Sequence, residues 1–187
     1  MRYLDPSLAV SLITHESFTA AAQQWLAAQP PEQVAVSDWV ITEVSSALSI
    51  KQRTGDLDEA ARRRAQSTFD VLVLDSTTVL DVPRECFARA AEMAGRAKLG
   101  LRSDDALHLA VAQHYGAQMC TRDERQAHAA GPWASTCSSW RRPNERSRDH
   151  RGRHGTGRAR LALLAGLRHP ARLSATFRTI VNVVGVT

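Results

Sequence analysis

The fold is decided by the stretch LRSDDALHLAVAQHYGAQMCTRDER at residues 101–125. Apolar side chains recur at helical spacing over 104–115, with Ser103 as a candidate N-cap and Gly116 as the stop. A strand, AQMCT, is predicted immediately afterwards at 117–121. The helix begins with an acidic pair and the strand is followed by Asp123, so both elements carry carboxylates at an end.

The same alternation extends through the first 130 residues. The sequence predicts short strands at 2–5, 34–36, 71–75 and 117–121. Helices are predicted at 7–13, 17–28, 38–54, 57–67, 83–98 and 124–130. Ser7, Ser37 and Asp56 are the predicted N-caps of the first, third and fourth of these, and Glu59 completes a capping box with Asp56. Gly55 is the predicted stop of the third helix, and Pro83 lies in the first turn of the fifth. This alternation predicts an α/β fold, a short parallel sheet flanked by helices.

Four carboxylates lie at the positions where folds of this class usually have their active sites. Asp5 ends the first strand and Asp123 follows the fourth, and ligands of open α/β sheets bind outside the carboxyl ends of strands. Glu43 and Asp105 lie near the N-terminal ends of two helices, which right-handed connections bring to the same edge. Taken singly, each acid also has a structural explanation as a cap or surface charge.

Taken together, the acids favour a cation site. Asp5 stands between Leu4 and Leu8, an apolar context in which an acid is unusual. Two like charges about 4 Å apart repel by about 4 kcal/mol at an effective dielectric constant near 20, and bound cations would remove that repulsion. An all-oxygen ligand set suits Mg²⁺ or Mn²⁺ better than zinc.

Four motifs carry a resemblance to the acidic motifs of PIN domains. In order and spacing they are most similar to those of VapC-type toxins of bacterial toxin–antitoxin pairs. The motifs are LDPSLAV at 4–10, TEVSSAL at 42–48, LRSDDALHLA at 101–110 and TRDER at 121–125. The resemblance covers about residues 1–130, and LRSDDALHLA is its most specific part. It implies a three-layer PIN-like fold.

The resemblance also implies roles for individual residues. It makes Asp5, Glu43, Asp105 and Asp123 the catalytic, metal-site acids, with Asp5 and Asp105 as direct ligands and the other two bound directly or through water. Ser7 matches the small hydroxyl residue that supports the site. Asp105, rather than its neighbour Asp104, is the motif acid because it precedes ALHLA. Pro6 stands where the family often has Thr or Ser, which removes a backbone N–H but leaves the ligand.

The function implied is Mg²⁺- or Mn²⁺-dependent endonucleolytic cleavage of RNA by a two-metal mechanism. The implied partners are the RNA substrate, a cognate antitoxin and a second copy of the chain in a homodimer. Two other classes stay open: a catalytically inactive PIN-like regulator that binds nucleic acid, and a metal-dependent phosphatase or DNA nuclease on another α/β scaffold. His108, one turn after Asp105, either contacts substrate or packs at a helix face.

Charge divides the chain near residue 131. Residues 1–132 carry 13 basic and 17 acidic side chains, a net charge of −4, whereas residues 133–187 carry 11 arginines and two acids, a net charge of +9. We therefore predict a nuclease domain at 1–130 and an irregular, Arg-rich tail at 131–187. The tail is either a basic arm for RNA or out-of-frame, disordered sequence in place of the native end. The second interpretation is favoured because the pattern holds up to the break.

Several classes of protein are disfavoured. Three cysteines without metal-type spacing argue against a disulfide framework or zinc site and fit a reducing cytoplasm. No apolar run approaches the roughly 18 residues of a membrane span. The N-terminal residues lack the order of a signal peptide. We therefore expect a cytoplasmic protein without a membrane partner.

Overall fold

A single parallel sheet organises the chain. The computed structural model describes residues 1–123, 126, 128, 131 and 134–136. The strands are β1 (Arg2–Leu4), β2 (Val34–Ser37), β3 (Thr78–Leu80), β4 (Gln118–Thr121) and β5 (Ala134–Thr136). Their order in the sheet is β3-β2-β1-β4-β5, and every neighbouring pair is parallel.

Six α-helices of the described residues flank this sheet. They are α1 (Pro6–Ile13), α2 (Thr19–Ala27), α3 (Asp38–Arg53), α4 (Glu59–Ser76), α5 (Arg84–Ala94) and α6 (Ser103–His114), with short 3₁₀ helices at Pro31–Gln33 and Ala97–Leu99. The predicted α/β class is confirmed. None of the helices in the described part of the chain is long and apolar enough to cross a membrane.

The centre of the sheet positions the first acid. β1 lies between β2 and β4, and Leu4 is in register with Cys120. The next N–H along the chain, that of Asp5, donates to the Cys120 carbonyl at 3.1 Å. Asp5 therefore stands beside Thr121 at the carboxyl ends of two adjacent strands.

The predicted third strand at 71–75 is wrong, because these residues form the last part of α4. The buried residues of this helix, Ala65, Thr68, Phe69 and Leu72, recur every three or four positions, which is helical spacing. The third strand is instead β3, whose first two residues are exposed. It pairs with β2 alone and so forms one edge of the sheet.

Two predicted helix starts are also wrong. Ser7 lies inside α1, and the N-cap is Asp5, which accepts the Leu8 N–H. Pro6 occupies the first helical position, where its missing N–H leaves nothing unsatisfied. The N-cap of α4 is Asp58 rather than Asp56, so Glu59 begins the helix.

The other helices agree with the prediction apart from their ends. Ser37 caps α3 as predicted, and Gly55 follows the last residues of that helix with a positive φ of 82°. Ser103 is the first residue of α6 rather than its N-cap, which is Arg102. α5 ends at Ala94 rather than near residue 98, and Pro83 is its N-cap.

A fifth strand joins the sheet beyond the predicted break in pattern. β5 runs parallel to β4, with Ala134 opposite Met119 and Thr136 opposite Thr121. The segment predicted as irregular therefore contributes a strand at its start. Of the helix predicted at 124–130, Gln126 and His128 are helical. The tail predictions for residues 137–187 lie outside the described residues.

Candidate metal and nuclease site

Asp5 is a buried carboxylate that accepts hydrogen bonds from three neighbouring residues. Its residue surface is 3% exposed. Ser7 Oγ lies 2.9 and 3.0 Å from its two oxygens, and the Leu8 N–H donates to Oδ1 at 3.0 Å. Thr121 Oγ1, from the end of β4, lies 2.7 Å from Oδ2. The strand end, the helix start and the neighbouring strand together fix this side chain.

Burial sets the protonation behaviour of Asp5. Loss of solvation raises the pKa of its carboxyl, although the hydrogen bonds from Leu8, Thr121 and Ser7 and the charge of His108 act in the opposite direction. Among the described residues, no lysine or arginine forms an ion pair with Asp5 or Asp105. Within the described part of the chain, the Asp5 carboxyl is therefore buried without a bound lysine or arginine.

Thr121 connects Asp5 to Asp123. The Asp123 N–H donates to Thr121 Oγ1 at 2.9 Å, while the same hydroxyl lies against Asp5 Oδ2. Asp123 Oδ1 in turn accepts the Gln126 N–H at 3.2 Å. One hydroxyl therefore links the first and fourth predicted acids across the ends of β1 and β4.

Asp105 shares its electrostatic environment with other acids. Its pKa is raised by burial first and then by the negative charges of Asp104 and Asp123. A hydrogen bond from the Arg102 backbone and the charge of His108 partly oppose this rise. The negative charge of Asp123 therefore acts on Asp105 in the same direction as that of its neighbour Asp104.

Glu43 is held by a histidine. Its Oε2 lies 2.8 Å from Nε2 of His108, which is 2% exposed and stands one turn after Asp105 on α6. On the other side of the ring, Nδ1 lies 2.8 Å from the Tyr3 hydroxyl. The packing alternative for His108 is the one observed, with the addition of this bond to Glu43.

The basic residue beside Asp123 is directed elsewhere. The Arg122 side chain forms an ion pair with Glu16 at 2.5 Å, contacts Ser11, and stacks over the Phe18 ring with its Cζ 4.7 Å from the centroid. Its backbone N–H donates to Ser7 Oγ at 3.1 Å. Arg122 therefore anchors the end of β4 and does not neutralise the acids.

The donor chemistry of the acids fits a hydrated divalent cation. Within the described residues, no three His, Cys, Asp or Glu side chains converge closely enough to form a complete cage. Mg²⁺ is generally held by one or two carboxylates and keeps several of its waters. The buried carboxylate of Asp5 is an oxygen donor of the kind that such a cation binds.

The family model of the PIN domain matches residues 2–132. The chain belongs to the PIN-domain family. The curated protein Ribonuclease VapC46 of Mycobacterium tuberculosis is 34% identical over 131 residues, which cover 68% of this chain and 88% of that protein. This PIN domain is therefore of the VapC type.

Solved structures agree on the fold. The crystal structure of VapC20 from Mycobacterium tuberculosis, titled a sarcin-ricin loop cleaving toxin, is 20% identical with a TM-score of 0.56 and covers 69% of this chain and 95% of that one. A toxin–antitoxin complex from Klebsiella pneumoniae is 24% identical with a TM-score of 0.51, covering 73% of this chain and 97% of that one. The predicted PIN fold is thereby confirmed.

Proposed function

We propose that this chain is a divalent-metal-dependent endoribonuclease, with Asp5, Glu43, Asp105 and Asp123 as its metal-site acids. The observation that carries the proposal is the buried, hydrogen-bonded Asp5 carboxylate, which pairs with no lysine or arginine of the described residues and is linked through Thr121 to Asp123, in a chain of VapC type. Mg²⁺ and Mn²⁺ are the cations that match the oxygen donors.

The residues of the chain prepare the site in distinct ways. Ser7, Leu8 and Thr121 orient Asp5, and their hydrogen bonds favour its ionised form. Asp5 and Asp105 are the proposed direct ligands, and Glu43 and Asp123 complete the site directly or through water. When two divalent cations are bound, they supply an activated water and stabilise the leaving oxygen of a phosphodiester.

We further propose that the protein is the toxin of a type II toxin–antitoxin pair and acts as a homodimer. Support for the pairing comes from the VapC type of the chain and from the toxin–antitoxin complex among the similar structures, and the homodimer is proposed on the family resemblance alone. A neighbouring small gene encoding a DNA-binding protein would identify the antitoxin. Co-expression should give a complex whose RNA cleavage is suppressed, and an uninhibited nuclease would contradict the pairing.

The nuclease proposal is tested by comparing labelled RNA and DNA of the same sequence, with Mg²⁺ or Mn²⁺ and with EDTA. Cleavage confined to RNA and abolished by EDTA is expected. Asp105→Asn should reduce cleavage by at least a factor of roughly 100, since loss of a metal ligand removes the cation that activates water. Asp104→Asn is the matched control, because it removes the same charge one position away, about 100° around the helix.

Three outcomes would contradict the proposal. Cleavage of DNA alone would favour a DNA nuclease, and RNA binding without any cleavage would favour the inactive regulator. An Asp105→Asn variant that cleaves RNA as fast as the Asp104→Asn variant would remove Asp105 from the site.

A further inference from the structure

A chain of polar side chains runs behind Glu43 through the core. Ser37 Oγ lies 2.7 Å from the Tyr3 hydroxyl, which lies 2.8 Å from Nδ1 of His108, whose Nε2 reaches Glu43 Oε2 at 2.8 Å. These four residues come from β2, β1, α6 and α3. Tyr3 and Ser37 are fully buried, whereas the Glu43 side chain is 23% exposed. This row of hydrogen bonds therefore connects the buried interior to the partly exposed carboxylate of Glu43.

The donors and acceptors in this row of hydrogen bonds have only two possible arrangements. Nε2 must carry a hydrogen to bond to a carboxylate oxygen, which only accepts. In the neutral ring, Nδ1 then accepts from the Tyr3 hydroxyl, and Ser37 donates to Tyr3. In the charged ring, Nδ1 instead donates to the Tyr3 hydroxyl, and Tyr3 donates to Ser37. Nε2 still donates to Glu43. The direction of the bond to Glu43 is thus the same in both protonation states of the ring.

We propose that His108 is the positioning residue for Glu43, and that Tyr3 and Ser37 fix the orientation of its ring. This inference rests on the proposed function, because it concerns how Glu43 is presented to a cation. A glutamate near solvent has three side-chain torsions to order before it can act as a ligand. The bond from Nε2 restrains those torsions and occupies Oε2, leaving Oε1 for the cation or its water.

The size of the effect follows from the behaviour of comparable residues. Partners that orient a metal ligand through a hydrogen bond generally change metal affinity by about 10–100-fold when they are removed. A residue that only fills the core would instead change the stability of the folded chain without changing the affinity of the molecules that stay folded. Metal affinity, measured separately from melting temperature, therefore distinguishes the two roles.

The test uses a matched pair of amides at position 108. His108→Gln carries an N–H donor at about the reach of Nε2, whereas His108→Asn is one methylene shorter and reaches only about as far as Nδ1. Mn²⁺ dissociation constants are measured by electron paramagnetic resonance on full-length protein, alongside melting temperature in EDTA. We expect His108→Asn to bind Mn²⁺ about 10–100-fold more weakly than wild type and His108→Gln to stay within a few-fold.

Three further variants test the orientation of the ring and its connection to Glu43. Tyr3→Phe removes the hydroxyl that fixes the ring and should weaken Mn²⁺ binding less than His108→Asn does. In a Glu43→Ala background, the Asn and Gln variants at position 108 should bind Mn²⁺ equally, because the group they position is gone. The Mn²⁺ concentration for half-maximal RNA cleavage should rise with the dissociation constant, and saturating Mn²⁺ should restore most of the rate.

The possible failures are distinguishable. If wild type neither binds Mn²⁺ nor cleaves RNA, the proposed function fails. Suppose instead that wild type binds Mn²⁺ and cleaves RNA. If His108→Asn and His108→Gln then bind Mn²⁺ equally well in protein that retains Glu43, His108 is not a positioning residue. The positioning role is also overturned if the difference between the two amides persists after Glu43→Ala. If His108→Asn does not fold, a Tyr3→Phe variant with unchanged Mn²⁺ affinity overturns the proposal.

Discussion

Asp5 combines two roles that place opposite demands on one side chain. As the N-cap of α1 it accepts the Leu8 N–H, which any good capping residue would do. As a carboxylate that is 3% exposed, it carries a charge that burial disfavours. An amide in the same position would keep the cap and lose the charge, so the two roles are separable by substitution.

We predict that Asp5→Asn raises the melting temperature in EDTA at pH 7 and abolishes the stabilisation by Mn²⁺. The pKa of Asp5 in the folded chain lies above its ordinary value of 3.8. Its ionisation therefore lowers the stability of the metal-free protein as the pH rises from near 3.8 through the folded pKa. For a chain of this length, each 1 kcal/mol gained corresponds to about 2–4 °C in Tm.

The control is Asp5→Ala, which loses the cap as well as the charge. Its melting temperature should fall below that of Asp5→Asn by the equivalent of about 1 kcal/mol or more. The difference between Asp5→Asn and wild type should vanish below about pH 3.8, where Asp5 is protonated in both states. A lower melting temperature for Asp5→Asn at pH 7, in protein confirmed to be folded, would contradict this explanation.

At the scale of elements, the end of α4 shows that a short apolar run does not decide between a strand and a helix. VLVLD at 71–75 is rich in β-branched residues and ends in an acid, which is typical of a buried strand. In the structure Leu72 is 1% exposed and Leu74 is 81% exposed. Residues two apart share a face in a strand but not in a helix, so these two exposures are incompatible with a half-buried strand.

This difference gives a prediction that separates the two assignments. Leu72→Ala should destabilise the protein by about 2–5 kcal/mol, because it opens a cavity beside Phe69 in the core cluster. Leu74→Ala, the matched control, should change stability by less than about 0.5 kcal/mol. Urea unfolding of both variants provides the measurement. Equal losses would indicate that both side chains are buried, as in the strand interpretation.

Other elements were predictable because their signals are local. α3 has a side-chain cap at Ser37 and ends just before Gly55, and β1, β2 and β4 are short apolar runs between breaks. The contact of His108 with Glu43 joins residues 65 positions apart and has no local signal. The cap at Asp5, by contrast, has a local signal that the prediction of Ser7 missed, because Asp5 is followed by Pro6 at the first helical position and accepts the Leu8 N–H.

At the scale of the whole molecule, the acids depend on the order of the strands. Because β1 and β4 are neighbours in register, residues 5 and 121 meet although 116 positions separate them. β5 pairs with β4 on its other side, with Thr136 opposite Thr121. Loss of β5 would make β4 an edge strand, next to the residues that hold Asp5 and Asp123.

The last prediction tests where the nuclease domain ends. A chain ended after residue 136 retains β5, and a chain ended after residue 130 lacks it. We expect the first to match the full-length protein in melting temperature and Mn²⁺ affinity. The second should be less stable by about 2–3 kcal/mol, since each lost backbone hydrogen bond contributes about 1 kcal/mol.

Four results would be decisive. Equal stability of the two shortened chains would place the domain boundary at residue 130, as the sequence predicts, with no contribution from β5. A loss of stability in the chain ended at residue 136 would show that residues 137–187 belong to the fold. If that chain keeps its stability but loses RNA affinity, most of all at low salt, the eleven arginines act as a basic arm. Unchanged affinity would instead favour the out-of-frame interpretation, because a segment with a net charge of +9 that evolved to hold RNA should contribute measurably to binding it.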